Sequence, residues 1–217
     1  MFMLERPTPK RAPSSAAAPV VKPSKPRIAK AERSQLTPQD WIRAAAELLI
    51  HRSIDAVRVD VIAKILDVTR GSFYWHFKDR EDLLNRVLLA WQDEQTEQII
   101  ARYRKQGVHA ETLIRELVAL PFHGRAAVKG ASVELAIRAW ARRDEMARRV
   151  VDTVDAQRLT YLTECFSELG FAAEDAKSRA FVLYCYMQSE SLFHNQGSIL
   201  EKRQRQEFVG DTLLAKR

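Results

Sequence analysis

Cysteine is scarce, with Cys165 and Cys185 the only two among 217 residues. Two thiols build neither a disulfide framework nor a zinc site, so a reducing compartment, the cytoplasm, is the expected setting. Long apolar runs are missing too. Every uncharged stretch stops at ten residues or fewer, whereas a membrane-spanning helix needs roughly 20 mostly apolar ones, which excludes a membrane span. Catalytic signatures are also lacking. There is no nucleophile elbow, phosphate loop, dinucleotide fingerprint or H-E-x-x-H, and His109-Ala110-Glu111 lacks the cysteine pair of a zinc deaminase. His51, His109, His123 and His194 have no ligand-spaced partners. An enzyme, a bound metal and a cofactor are not expected.

Acidic residues are rare at the amino end. Residues 1–36 hold eight Lys or Arg against Glu5 and Glu32, which is most of the net charge of +7, and they hold six of the eight prolines. Such a segment buries too little apolar surface to offset its ordering entropy. It reads as a disordered basic arm.

Strand alternation is the last absence. Beyond the arm every apolar run repeats at helical spacing, which predicts an all-α fold of about nine helices. Thr37-Pro38-Gln39-Asp40 signals a helix start, and Trp41, Ile42, Ala45, Leu48 and Leu49 continue it to His51. Val59, Ile62, Ala63 and Leu66 mark a two-turn helix ending at Asp67-Val68. A third short helix is expected from an N-cap at Thr69, and a fourth, about 25 residues long, from Asp79 to Gly107. Further helices are expected at 109–120, 131–142, 145–169, 173–194 and 198–215, with Gly107, Gly124, Gly130, Gly170 and Gly197 at or near the breaks. The arginines at 138, 142, 143, 148 and 149, alternating with Glu134, Asp144 and Glu145, read as a solvated, salt-bridged face.

The stretch 59–84 organises the chain. Two short helices about a tight turn, the second with Phe73 and Phe77 inward and basic and aromatic groups outward, describe a helix-turn-helix offered to the DNA major groove. Arg70, at the amino end of the second helix, is the first candidate for base readout, because a bidentate Arg–guanine pair is the commonest specific contact. Gly71 permits close backbone approach and Ser72 offers a hydroxyl to base or phosphate. Tyr74, His76, Lys78 and Arg80 are donors suited to phosphates, and Trp75 to a sugar or thymine methyl.

The run V-T-R-G-S-F-Y-W-H-F-K-D-R-E-D-L-L, preceded by I-A-K-I-L-D, closely resembles the DNA-binding signature of TetR-family transcriptional repressors. V-E-L-A-I-R-A-W-A-R-R-D at 133–144 and V-D-A-Q-R-L at 154–159 resemble segments of some members' carboxyl domains. The resemblance implies a helix-turn-helix domain over 37–85 and a helical ligand-binding and dimerisation domain over 86–217. It also implies a homodimer joined through the last two long helices, a palindromic double-stranded operator and a small-molecule effector. Thr69, Arg70, Gly71, Ser72, Tyr74, Trp75, His76, Lys78 and Arg80 would then face DNA. Phe122, Trp140, Tyr161, Cys165, Phe166, Tyr184 and Met187 are candidates for the effector pocket. The chain departs from the family pattern at Arg58-Val59, where a Thr or Ser commonly caps the second helix, at Asp67, where Gly is common, and in its long arm. A non-specific or architectural DNA binder driven by that arm is the alternative.

Overall fold

A computed structural model describes residues 36–122, 124–193 and 197–216. The arm expected over residues 1–36 lies outside these apart from Leu36, as do His123, His194 and the side chain of Phe122. Among the described residues there are nine α-helices and no strand: α1 Pro38–His51, α2 Val59–Ile65, α3 Arg80–Gln92, α4 Gln98–Gln106, α5 Ala110–Ala119, α6 Gly124–Ala141, α7 Glu145–Glu168, α8 Ala173–Leu192 and α9 Ile199–Leu214. The all-α fold is as the sequence predicts.

Local chemistry accounts for the helix ends. Ahead of α1, the Thr37 backbone N–H donates to the Asp40 carboxylate at 2.8 Å, so a donor that no helical carbonyl can reach is satisfied by the first turn itself. Asp79 accepts from the Asp82 N–H at 2.9 Å ahead of α3, and Asp144 from that of Ala147 at 3.0 Å ahead of α7. Arg58 makes no side-chain cap for α2; its guanidinium instead meets the Asp60 carboxylate at 3.1 and 3.0 Å. After α2 the chain turns through Asp67, which adopts φ +52°, a left-handed conformation that Asp tolerates better than most residues.

Four sequence expectations need correction. Arg70–Trp75 winds as a 3₁₀ segment, not an α-helix, and the Thr69 side chain makes no capping bond. Here the backbone follows the packing of Phe73 rather than an i to i+4 ladder. The single long helix from Asp79 to Gly107 is interrupted at Asp93–Glu97 by a π turn, in which the Gln98 N–H reaches back five residues to the Asp93 carbonyl. The two changes cancel in the helix count. Next, α6 begins at Gly124 rather than 131 and runs straight through Gly130. A Cβ on Gly130 would come within 2.9 Å of Gln95 Oε1, the movable end of a side chain in the π turn. Gly107, Gly124, Gly170 and Gly197 do have positive φ. The fourth correction concerns the charged face of α6 and is taken up with the cavity.

Two hydrophobic cores fill the described part. The first joins α1, α2, α3, Phe73 and Phe77 to Ile137, Trp140 and Ala141 of α6 and to Ala147, Val151 and Val154 of α7. The second gathers α5 with Leu162, Cys165 and Phe166 of α7, Ala176, Ala180, Leu183 and Tyr184 of α8, and Leu213 of α9. The 24-residue α7, about 36 Å long at 1.5 Å per residue, therefore supplies one end to each core.

Phe73 anchors the 3₁₀ segment. It is wholly buried, with its ring edge-on to Trp41 at 5.3 Å and stacked on Phe77 at 5.2 Å. Phe73→Ala is expected to cost about 3–5 kcal/mol, read as a lowered urea midpoint. A loss under about 1 kcal/mol would contradict this packing.

Candidate nucleic-acid interface and internal cavity

With Phe73 and Phe77 turned into the first core, the rest of the segment faces outward. Thr69, Arg70, Gly71, Tyr74, Trp75 and Lys78 are exposed, Trp75 by 84%. Ser72 and His76 are half-buried, His76 lying edge-on to Phe77 at 6.3 Å. A Cβ on Gly71 would meet only Thr69 Oγ1, at 3.7 Å, so nothing inside the chain requires glycine there. Arg80 has an internal task that the sequence did not announce. Its Nε and Nη2 donate to the carbonyls of Val57 and Ile54 at 2.6 and 2.7 Å, fastening the start of α3 to the loop before α2. The platform is stiffened again by Arg86, whose guanidinium lies 5.0 Å from the Phe77 ring centre and 2.9 Å from Asp82.

The second feature is a cavity of about 360 Å³ between the π turn, α4, α5, α6, α7 and α8. Of the seven residues expected at a pocket, Tyr161, Tyr184 and Met187 line it. The other described ones do not. Trp140 is packed in the first core, and Cys165 and Phe166 lie inside the second, because each falls on the stripe of its helix that faces a neighbouring helix. Burial pushes the Cys165 thiol up to about 11, which leaves it an apolar filler rather than a nucleophile.

Sequence reading passed over Arg158 altogether and assigned Glu134 and Arg138 to a solvated face. That assignment holds for Arg142, Arg143, Arg148 and Arg149, which are exposed, and fails for the other two. Arg158 Nη1 donates to both oxygens of Glu134 at 2.9 Å, its Nε to Thr96 Oγ1 at 3.0 Å and its Nη2 to the Gln95 carbonyl at 3.1 Å. Arg138 donates to Glu134 at 2.9 Å and to Asp155 at 2.5 Å. The Tyr184 hydroxyl donates to Asp155 at 2.6 Å and accepts from Arg138 at 2.7 Å, while Gln188 Nε2 donates to Glu134 at 2.7 Å. The available signal was register: Arg158 stands on the buried stripe of α7 between Val154 and Leu162, and Glu134 four residues after Gly130 and three before the buried Ile137.

Burial opposes the charge on Glu134, but Arg158 and Arg138 outweigh it and hold the carboxyl below its ordinary range. Asp155 is likewise penalised by burial and pulled down by Arg138 and Tyr184. Burial pushes Tyr184 up to about 12, so it stays a neutral donor. Near neutral pH the cluster therefore holds two anions and two cations. No group of three metal-ligating side chains occurs among the described residues, and no helix among them is long and apolar enough to cross a membrane.

Residues 42–87 match a family model described as bacterial regulatory proteins, tetR family. Over these residues the chain is similar to the DNA-binding domain of that family. The same region is 36% identical over 56 residues to the HTH-type transcriptional regulator AcrR of Shigella flexneri, covering 26% of each chain. It is 36% identical over 62 residues to the regulator SrpR of Pseudomonas putida, covering 29% of each. The match thus spans about a quarter of these relatives' length. In three dimensions the likeness extends further. A transcriptional regulator from Rhodococcus sp. Rha1 superposes with TM-score 0.65 at 18% identity, over 82% of this chain and 94% of the other. FadR of Bacillus subtilis, solved in complex with stearoyl-CoA, gives 0.61 at 18% identity over 82% and 98%. At that identity the fold is what is shared.

The buried cluster sets a pH dependence. Because the Glu134 and Asp155 carboxyls are depressed in the folded protein, their contribution is complete above the unfolded values near 4 and is lost as acidification passes through the folded ones. The urea midpoint should fall between about pH 5 and pH 2 more steeply for the wild type than for Asp155→Asn. At neutral pH Glu134→Leu should cost about 3–5 kcal/mol, since it leaves Arg158 without its carboxylate partner in a largely buried site. Parallel pH profiles for wild type and Asp155→Asn would contradict this account.

Proposed function

We propose that the protein is a cytoplasmic transcriptional repressor that grips a palindromic operator as a homodimer, associates with the nucleoid through that DNA, and is released when a small molecule fills the cavity. The observation that carries the reading is the outward set Thr69, Arg70, Gly71, Tyr74, Trp75 and Lys78, held on a buried Trp41–Phe73–Phe77 anchor. Arg70 reads a base edge, and Ser72, Tyr74, His76 and Lys78 meet the backbone. Arg80 adds a phosphate contact only with the donors that its two internal bonds leave over.

The dimer is supported by unpartnered apolar side chains on the last two helices. Phe181, Val182, Leu192, Ile199, Leu200 and Phe208 are all exposed, more apolar surface than one subunit keeps in water without cause. Two reading heads then lie about 34 Å apart, or a modest multiple, on successive turns of a major groove. Release is supported by contiguity, since the cavity wall includes Gln95 and Thr96, and the π turn that holds them follows directly on α3, whose start frames the reading face. A coupling of order 1–3 kcal/mol between ligand and DNA suffices. That a protein of the same fold holds stearoyl-CoA supports an effector of some kind.

One observation favours the non-specific alternative. Residues 37–85 hold seven Lys or Arg against eight Asp or Glu, while residues 1–36 carry a large positive excess. Non-specific affinity would therefore come from the arm.

Selection of duplexes from a random pool should return a palindrome bound at least about 10³-fold more tightly than random DNA in the same salt. A ratio near one would sink the repressor reading. On the selected site, Arg70→Ala should cost about 1–3 kcal/mol and relax one base pair, while Lys78→Ala should weaken all sequences alike. Phe181→Glu should shift the sedimenting species from dimer towards monomer, since like charges would then be buried face to face. Sedimentation of the wild type itself as a monomer would remove the dimer.

A further inference from the structure

The cavity has an electrical character that limits what can enter it. Among its described lining residues only Glu134 and Arg158 carry formal charge, and they are bound to each other at 2.9 Å. Behind them Arg138 and Asp155 pair in the same way. Glu134 Oε1 already accepts from Arg138, Arg158 and Gln188. Arg158 has bonds from Nε, Nη1 and Nη2. Neither group offers a free counter-charge. The rest of the described wall is mostly aliphatic or aromatic, including Ile99, Leu117 and Leu162, with the neutral polar groups of Gln95, Thr96, Tyr161 and Gln188 among it.

We infer that this cavity takes an uncharged, mostly apolar molecule, and that the Glu134–Arg158 pair is the element that turns charged molecules away. The inference rests on the reading of the cavity as an effector site and names the chemical class of the effector. A ligand carrying a charge of either sign has two routes, both unfavourable. It is buried beside a cluster of zero net charge and goes uncompensated, or it takes Arg158 or Glu134 as its partner and strands the other. A neutral molecule needs neither. The cavity volume, about 360 Å³, equals the share of roughly a dozen water molecules and suits a compact two- or three-ring or short-chain compound. Its polar handle, a hydroxyl or an amide, has the Gln188 carbonyl oxygen available, since the Gln188 amide nitrogen is the end that serves Glu134.

Two fluorescent probes test the charge filter directly, because they share one skeleton. N-phenyl-1-naphthylamine is neutral, and 8-anilinonaphthalene-1-sulfonate adds a single anionic group. Titrated against the full chain, the neutral amine should bind once per subunit and at least about tenfold more tightly than the sulfonate. Glu134→Gln, which leaves a cation unmatched, should narrow or reverse that ratio. Ala131→Trp, which fills the cavity, should abolish binding of the amine. Equal affinities in the wild type, no binding of the amine, or amine binding that survives Ala131→Trp would overturn the inference. If Glu134→Gln does not fold, the wild-type ratio and Ala131→Trp still decide. Operator affinity read on the same samples separates the two claims. Tight amine binding that leaves DNA affinity unchanged upholds the ligand class and removes the regulatory role.

Discussion

The structure depends on a buried ion pair placed where apolar packing gives out. α7 contributes Val154 to one core and Leu162 to the other, and between them stands Arg158, tied to Glu134. Buried ion pairs are weak sources of stability, because desolvating both charges offsets most of their attraction. What the pair supplies is definition. Its partners lie on α6, α7, α8 and the π turn, so each of these has one register in which the charged groups of the cluster are matched. Slipping any one of them leaves a charge unmatched, a far larger penalty than an imperfect apolar contact.

The reading face follows an opposite rule. It is built on apolar packing, and its polar groups are left for something else to satisfy. Phe73 and Phe77 fix the backbone so that Arg70 and Trp75 stand out from it, and Arg80 locks the adjoining loop through two carbonyls. The backbone that carries the outward groups therefore loses little further freedom on docking. The surrounding domain has no positive excess, so its recognition rests on the shape and position of a few donors rather than on bulk attraction. The positive charge is concentrated in residues 1–36 instead.

What could be read from the sequence was what local chemistry determines. Thr37, Pro38 and Asp40 define the start of α1 whatever lies beyond it, and Asp67 advertises a left-handed turn without help from the fold. Phe73 and Phe77 disclose their burial through spacing alone. Tyr161, Tyr184 and Met187 were identifiable as pocket material, but Trp140 and Phe166, of the same residue class, belong to cores, because composition does not say which stripe of a helix meets a gap. The 3₁₀ winding of 70–75 and the π turn at 93–97 were invisible for a different reason. Neither follows from the propensities of R-G-S-F-Y-W or D-E-Q-T-E. They arise where Phe73 is drawn into a core and where Arg158 takes the Gln95 carbonyl. Glu134 and Arg138, four residues apart, look the same as a solvent-exposed pair until α7 and α8 close over them.

The π turn holds one residue more than an α-helical turn of the same rise. A surplus residue cannot be shed in fractions. If Asp93–Glu97 tightened to α geometry, α4 would advance by about 1.5 Å and turn by about 100° relative to α3, with no hydrogen-bonded arrangement between the two. Arg158, bonded to Gln95 and Thr96, pins the turn that holds the surplus residue.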